Sequence, residues 1–250
     1  IVLIFIYQKI GSQKLSFSFA IGKQLFAKSR YYIVSGMMVT VFSQTDKIMI
    51  KTMIGDSANG YYSAAITCAA MTGFVFSALI DSMRPVVFES NKISDERFEK
   101  NMARLYSLII YMGLAQSVVL TLLADPIISV LYGKDYLPSI PLLQIITWYS
   151  AFSYMGSVRN IWMLAKEKQR YLWMINLMGA ALNVAGNFAL IPALGASGAA
   201  IASVATQFFT NFILCLIFTP IKPTTRLIVR ALNPKTIIEM IPRKENKNVK

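Results

Sequence analysis

The 250-residue chain is 55% hydrophobic, only 15% charged and has a mean hydropathy of +0.52, with 25 basic residues against 12 acidic ones for a net charge of +13. That is more apolar surface than one soluble core hides, so the composition places the chain in a bilayer. The positive charge lies in the connections between apolar runs and not along one face, which reads as membrane topology and excludes nucleic acid as a partner. Histidine is absent, removing the commonest general base and metal ligand.

Residues 1–7 are apolar but too few to span, where about 20 are needed, and read as the end of a truncated transmembrane helix. Residues 8–30 carry Lys9, Lys14, Lys23, Lys28 and Arg30 among Leu15, Phe19, Leu25 and Phe26. That mixture predicts a basic amphipathic connector on the inner surface. Six runs of spanning length follow, at residues 31–54, 60–83, 105–124, 142–164, 171–191 and 198–218. Backbone left unpaired in lipid is costly, so each is predicted to be a helix and residues 31–218 to form a six-helix lobe. Alternate connections hold 21 Lys and Arg residues on one side and only Lys134 on the other, which predicts a cytoplasmic C-terminus. Residues 219–250 read as a basic cytoplasmic tail. The outer connection at residues 125–141 is predicted to dip back to the membrane surface through its apolar first half. Cys68 and Cys215 sit singly within apolar runs and read as small core residues, with no metal or disulfide framework.

Asp46 and Lys47 stand side by side inside the first full span, where an isolated charge costs about 2.5 to 3.5 kcal/mol. Adjacent helical residues point ~100° apart, so the two cannot form a clean pair with each other. Lys47 is a candidate for holding an anionic headgroup, with Asp46 orienting it or binding a coupling ion; the bland alternative is a buried interhelical ion pair. Gln44 extends the polar patch, and Lys51 is near enough to the outer surface to snorkel. Arg159 lies near the inner end of its span and either offers a guanidinium fork to pyrophosphate or, the preferred reading, snorkels to inner-leaflet phosphates. Arg84, beside Pro85, reads as a topology flank. Asn183 and Asn187 share one helix face and either bind sugar hydroxyls or, preferably, join helices. Gly195, Gly198, Ala199, Ala202 and Ser203 form small-residue rows for close helix contact. Asp46 is the only carboxylate deep in any span, and no nucleophile–base set or phosphate loop appears, so the chain reads as a non-enzyme with no cofactor and no metal.

The run Thr45-Asp46-Lys47-Ile48-Met49-Ile50-Lys51-Thr52-Met53-Ile54-Gly55-Asp56 leading into Gly60-Tyr61-Tyr62-Ser63-Ala64-Ala65 resembles the seventh helix of bacterial polysaccharide repeat-unit (O-antigen) flippases. Arg84-Pro85, Leu131-Tyr132-Gly133, and Leu182-Asn183 through Asn187, Leu190-Ile191-Pro192, Gly195 and Gly198-Ala199-Ala200-Ile201-Ala202 extend the resemblance over about residues 1–220. It implies an all-α integral membrane protein: the second six-helix lobe of a twelve-helix transporter of the multidrug, oligosaccharidyl-lipid and polysaccharide exporter superfamily, with the end of the preceding helix. The implied substrate is an undecaprenyl-diphosphate-linked oligosaccharide, flipped in the bacterial inner membrane by alternating access. The implied partners are membrane lipids, the N-terminal lobe missing from this chain, and, as candidates, a polysaccharide polymerase and a chain-length regulator. Competing readings are a drug and cation antiporter of the same superfamily, a membrane-embedded polysaccharide polymerase, and a non-functional remnant.

Overall fold

The computed structural model describes residues 18–233. The expected helix end at residues 1–7, the start of the connector and the last stretch of the tail lie outside the described residues. Among the described residues the chain is helical, without strands.

Helix α1 (Phe19–Met53) starts at Ser18, whose hydroxyl accepts from the Ile21 amide, and runs unbroken for 35 residues. The connector and the first span, expected as separate elements, are therefore one helix from Phe19 onward. Its ~52 Å exceeds the ~30 Å of a hydrocarbon core. Gly55, at φ +131°, turns the chain into α2 (Asp56–Ala70). Lys51 reaches Asp56 across this turn at 2.9 Å; the pair is exposed and contributes little.

The second apolar run is not one straight helix. It breaks at Met71 and Thr72, and α3 (Gly73–Ile93) continues at 42° to α2. Phe76 stacks on Tyr154 at 4.1 Å just beyond the break, and Tyr154 Oη lies where a side chain on Gly73 would begin, 2.8 Å away. Helix α3 passes through Arg84 and Pro85, with Arg84 paired to Asp81 at 3.1 Å, and only Ser94 separates it from α4 (Asp95–Leu122). The Ser94 side chain accepts from the Arg97 amide, and Asp95 and Glu96 occupy the first turn of α4, where carboxylates suit the helix dipole. The connection at residues 84–104 is thus helical almost throughout.

The apolar first half of residues 125–141 forms the short helix α5 (Ala124–Leu131), followed by Gly133 at φ +80° and a single 3-10 turn. Helix α6 (Ser139–Ala165) then leads to α7 (Leu172–Leu194), Gly195 at φ +62°, and α8 (Ala196–Phe208). A π turn at Phe209–Ile213 joins α8 to α9 (Leu214–Ile217). The first part of the expected basic tail is helical and packed. It forms α10 (Pro223–Ala231), which buries Leu227, Ile228 and Ala231 against α4 and accepts a hydrogen bond at the Ala231 carbonyl from Ser107 Oγ at 2.9 Å.

Helix α4 packs on α6, α6 on α2 and α8, α7 on α8, and α1 along α7. One apolar core gathers Ile50, Tyr62, Ile128, Leu143 and Ile191 near the turns at Gly55, Gly133 and Gly195. The other, around Phe98, Tyr106, Trp162, Ile175 and Ile228, lies toward the opposite ends of the helices. Among the described residues helix α4, Gln169–Leu194 and Ala196–Ile217 are each long and apolar enough to cross a membrane, and α2 with α3 reaches that length and apolarity only when the bent pair is taken together. Helices α1 and α6, which hold the other two runs, fall short of that apolarity. Gln44, Asp46 and Lys47 lower the first, and Gln144, Arg159 and Asn160 the second. Of these residues Asp46 and Arg159 are buried, whereas Gln44, Gln144 and Asn160 are exposed.

Candidate functional site

Asp46 lies about two turns before the end of α1, on the face that packs against α7 and α8, and is 5% exposed. Its carboxylate is surrounded by donors. Tyr62 Oη of α2 donates at 2.7 Å and Ser203 Oγ of α8 at 2.5 Å to one oxygen, and Asn187 Nδ2 of α7 donates at 2.6 Å to the other. Asn187 Nδ2 also reaches Asn183 Oδ1 at 3.3 Å, and Asn183 Nδ2 donates to Ser203 Oγ at 3.0 Å. Asp46, Asn187, Asn183 and Ser203 thereby close a hydrogen-bonded ring that ties α1, α7 and α8 together, with Tyr62 tying in α2. Hydrogen bonds to an ionised acceptor are roughly twice as strong as neutral ones, so the donors compensate a charge withdrawn from water.

The ring forms because the helices approach closely. A Cβ on Gly186 would sit 3.1 Å from Ala202 Cβ, and one on Gly198 would strike the Leu190 carbonyl. The small-residue rows do pack helices, and Ser203 adds a polar bond to them. Both asparagines are fully buried and join helices.

Lys47 takes the other direction, as the ~100° step requires. It is half-buried, has no ion-pair partner among the described residues, and lines a cavity of about 250 Å³ with Gln44, Tyr62, Tyr149, Ser150 and Ser203. The alternative of a buried interhelical ion pair is not seen among the described residues: neither Asp46 nor Lys47 is in an ion pair, and neutral donors occupy both oxygens of the Asp46 carboxylate.

Arg159 does not snorkel. It is 4% exposed, and its Nη1 donates to the Thr210 carbonyl at 2.7 Å and to Asn211 Oδ1 at 2.8 Å. Thr210 and Asn211 belong to the π turn, where the widened backbone presents a carbonyl that the guanidinium takes up. The close approach depends on Gly156, since a Cβ there would lie 2.5 Å from Asn211 Oδ1. Arg159 borders a second cavity, of about 180 Å³, lined also by Ser153, Asn160, Asn176 and Gln207, and Tyr149 lines both cavities. Asp46, Lys47, Gln44, Asn183 and Asn187 are therefore brought together, while Arg159 stands at the far end of the same polar seam.

Tyr62, Ser203, Tyr149, Gln207 and Asn211 were not singled out as site residues from the sequence. The spacing of Ser203, Gln207 and Asn211 by four was the available signal on α8. No group of three His, Cys, Asp or Glu able to hold a metal occurs among the described residues, and Cys68 and Cys215 are buried free thiols. The ring does offer oxygen ligands of the kind hard cations use: the Asp46 carboxylate, Ser203 Oγ and Asn187 Oδ1, which is buried without a hydrogen-bond partner.

Residues 1–141 match the model of a family described as polysaccharide biosynthesis protein. Over 207 residues the chain is 26% identical to an uncharacterized membrane protein of Methanocaldococcus jannaschii, an alignment covering 81% of this chain and 40% of that protein. The chain thus spans about two fifths of the length of that curated relative. No solved structure matches it.

Proposed function

The chain belongs to the polysaccharide biosynthesis protein family, and from that premise we propose that it flips undecaprenyl-diphosphate-linked repeat units, such as those of O-antigen, from the inner to the outer leaflet of the bacterial inner membrane. It is an all-α, multi-pass membrane protein of polysaccharide biosynthesis.

The observation that carries the proposal is Lys47, a cation without an ion-pair partner among the described residues, lining a mainly apolar cavity into which Gln44, Asp46, Tyr62, Ser150 and Ser203 bring polar groups. Moving a diphosphate and sugars through hydrocarbon is opposed by their desolvation, and a basic, hydrogen-bonding cavity lowers that cost while the polyprenyl tail stays in lipid. No bond has to be made or broken. Rocking of this lobe against a second one would expose the cavity to each leaflet in turn. The basic residues at 84–104, 166–170 and 222–230 mark the cytoplasmic end. A cation antiporter would use Asp46 as its cation site; here the carboxylate borders the cavity but already accepts from three donors.

The test is Lys47→Ala in the full-length protein, in cells lacking their own repeat-unit flippase. Transfer of the lipid-linked oligosaccharide to the outer leaflet should fall about tenfold or more at unchanged membrane abundance, the loss of one charge-assisted contact. Unaltered transfer at equal abundance would remove Lys47 from the mechanism. Dye efflux by the wild-type protein, with no movement of the oligosaccharide, would favour the antiporter.

A further inference from the structure

The cavity beside Arg159 differs in chemistry from the one beside Lys47. To hold a phosphate Arg159 would have to present an accessible fork of N–H groups, and it does not. Both Nη1 bonds are taken by Thr210 and Asn211, Nε is sealed from contact with any ligand, and Nη2 turns to Asn160 Oδ1 at 3.4 Å.

The guanidinium instead orients neutral amides. Asn160 directs its oxygen at Arg159, which leaves its Nδ2 as a donor on the cavity side. Asn211 has its oxygen on Arg159, and its Nδ2 donates at 2.6 Å to Gln207 Oε1, which turns the Gln207 Nε2 toward the Tyr149 hydroxyl at the junction of the cavities. Ser153, Ser157 and Asn176 complete a wall of hydroxyls and amides, with the Tyr149 ring where the two cavities join. Amide and hydroxyl groups in a cavity of about 180 Å³ match a ring bearing several hydroxyls, each both donor and acceptor.

We propose that this cavity is a subsite for an uncharged sugar ring of the lipid-linked substrate, with Arg159 as a positioning residue that sets the amides and never touches the diphosphate. The inference rests on the flippase reading above and deepens it. The diphosphate lies at Lys47, and the first sugar reaches past Tyr149 into the amide-lined end.

Two probes separate the subsites: undecaprenyl diphosphate and undecaprenyl diphosphate carrying one N-acetylhexosamine, each titrated into the full-length protein and followed by native mass spectrometry. The wild type should bind the glycosylated lipid about tenfold more tightly, roughly one to two net hydrogen bonds. Asn160→Ala, Gln207→Ala and Arg159→Lys should each weaken the glycosylated lipid about threefold to tenfold more than the bare one. Ala180→Leu, which fills the cavity without removing a hydrogen bond, should abolish the preference. It keeps the test valid if a polar variant misfolds. A preference left intact in Ala180→Leu, or equal losses for both lipids across the variants, overturns the sugar subsite. Wild-type protein that binds both lipids equally overturns the subsite alone, and wild-type protein that binds neither overturns the flippase reading with it.

Discussion

Asp46→Ala is expected to lower the unfolding temperature of the detergent-solubilised protein by about 6–12 °C, corresponding to about 3 kcal/mol. The substitution removes one residue but orphans three donors, Tyr62 Oη, Asn187 Nδ2 and Ser203 Oγ, on three different helices. A buried donor without an acceptor costs about 1–3 kcal/mol, though membrane hydrogen bonds lie toward the low end of that range. Asp46→Asn keeps the shape and one oxygen but turns an amide toward the donors, so its loss should be intermediate. Lys47→Ala should move the melting temperature by less than about 2 °C, because Lys47 faces a cavity and breaks no ion pair. The pair of neighbours then separates stability from transport. If Asp46→Ala melts like the wild type yet transports nothing, Asp46 acts on substrate or ion and the ring is not what holds α1 in place.

Gly198→Ala should be the most damaging substitution of a single hydrogen by a methyl. The new Cβ would lie 2.5 Å from the Leu190 carbonyl carbon and 2.9 Å from the Ile191 amide nitrogen, with the carbonyl oxygen closer still. These are backbone atoms of the preceding helix and cannot rotate away. Relief requires α8 to move off α7, which pulls Ser203 from Asp46 and Asn183. A cost of about 3 kcal/mol, the upper end for overpacking, is expected as reduced membrane abundance and a melting temperature lowered by roughly as much as in Asp46→Ala. Gly22→Ala is the control: nothing lies within 4 Å of its Cβ position, and in a helix interior alanine is favoured over glycine by about 0.5–1 kcal/mol. Equal behaviour of the two variants would show that the α7–α8 approach has slack.

The Asp46 ring explains why a charge survives within an apolar bundle without a counterion. Its carboxylate is balanced by oriented dipoles, and these come from residues 16, 141 and 157 positions away. A sequence exposes only neighbours along the chain and along one helix face. The i, i+4 relation of Asn183 and Asn187 is such a neighbour relation and was legible, as was the divergence of Asp46 from Lys47. Which face of α1 meets which face of α7 is a matter of packing at long range, so the partners of Asp46 were not.

Composition and periodicity by themselves determined that the chain is all-α and membrane-embedded, because apolar stretches of about 20 residues can satisfy their backbone in lipid only as helices. They also determined the alternation of basic and neutral connections and the absence of histidine chemistry. Only the tertiary structure decided that the second run bends at Met71, where the α3 start accommodates Tyr154, and that α10 folds back onto α4. It alone withdrew Arg159 from the interface, since the carbonyl of a π turn on another helix offers the guanidinium a partner that no local pattern encodes. The difference is physical: burial of an apolar run is favourable against almost any neighbour, whereas a polar group within it is stable only beside particular donors or acceptors, and those are supplied by contacts between helices distant in sequence.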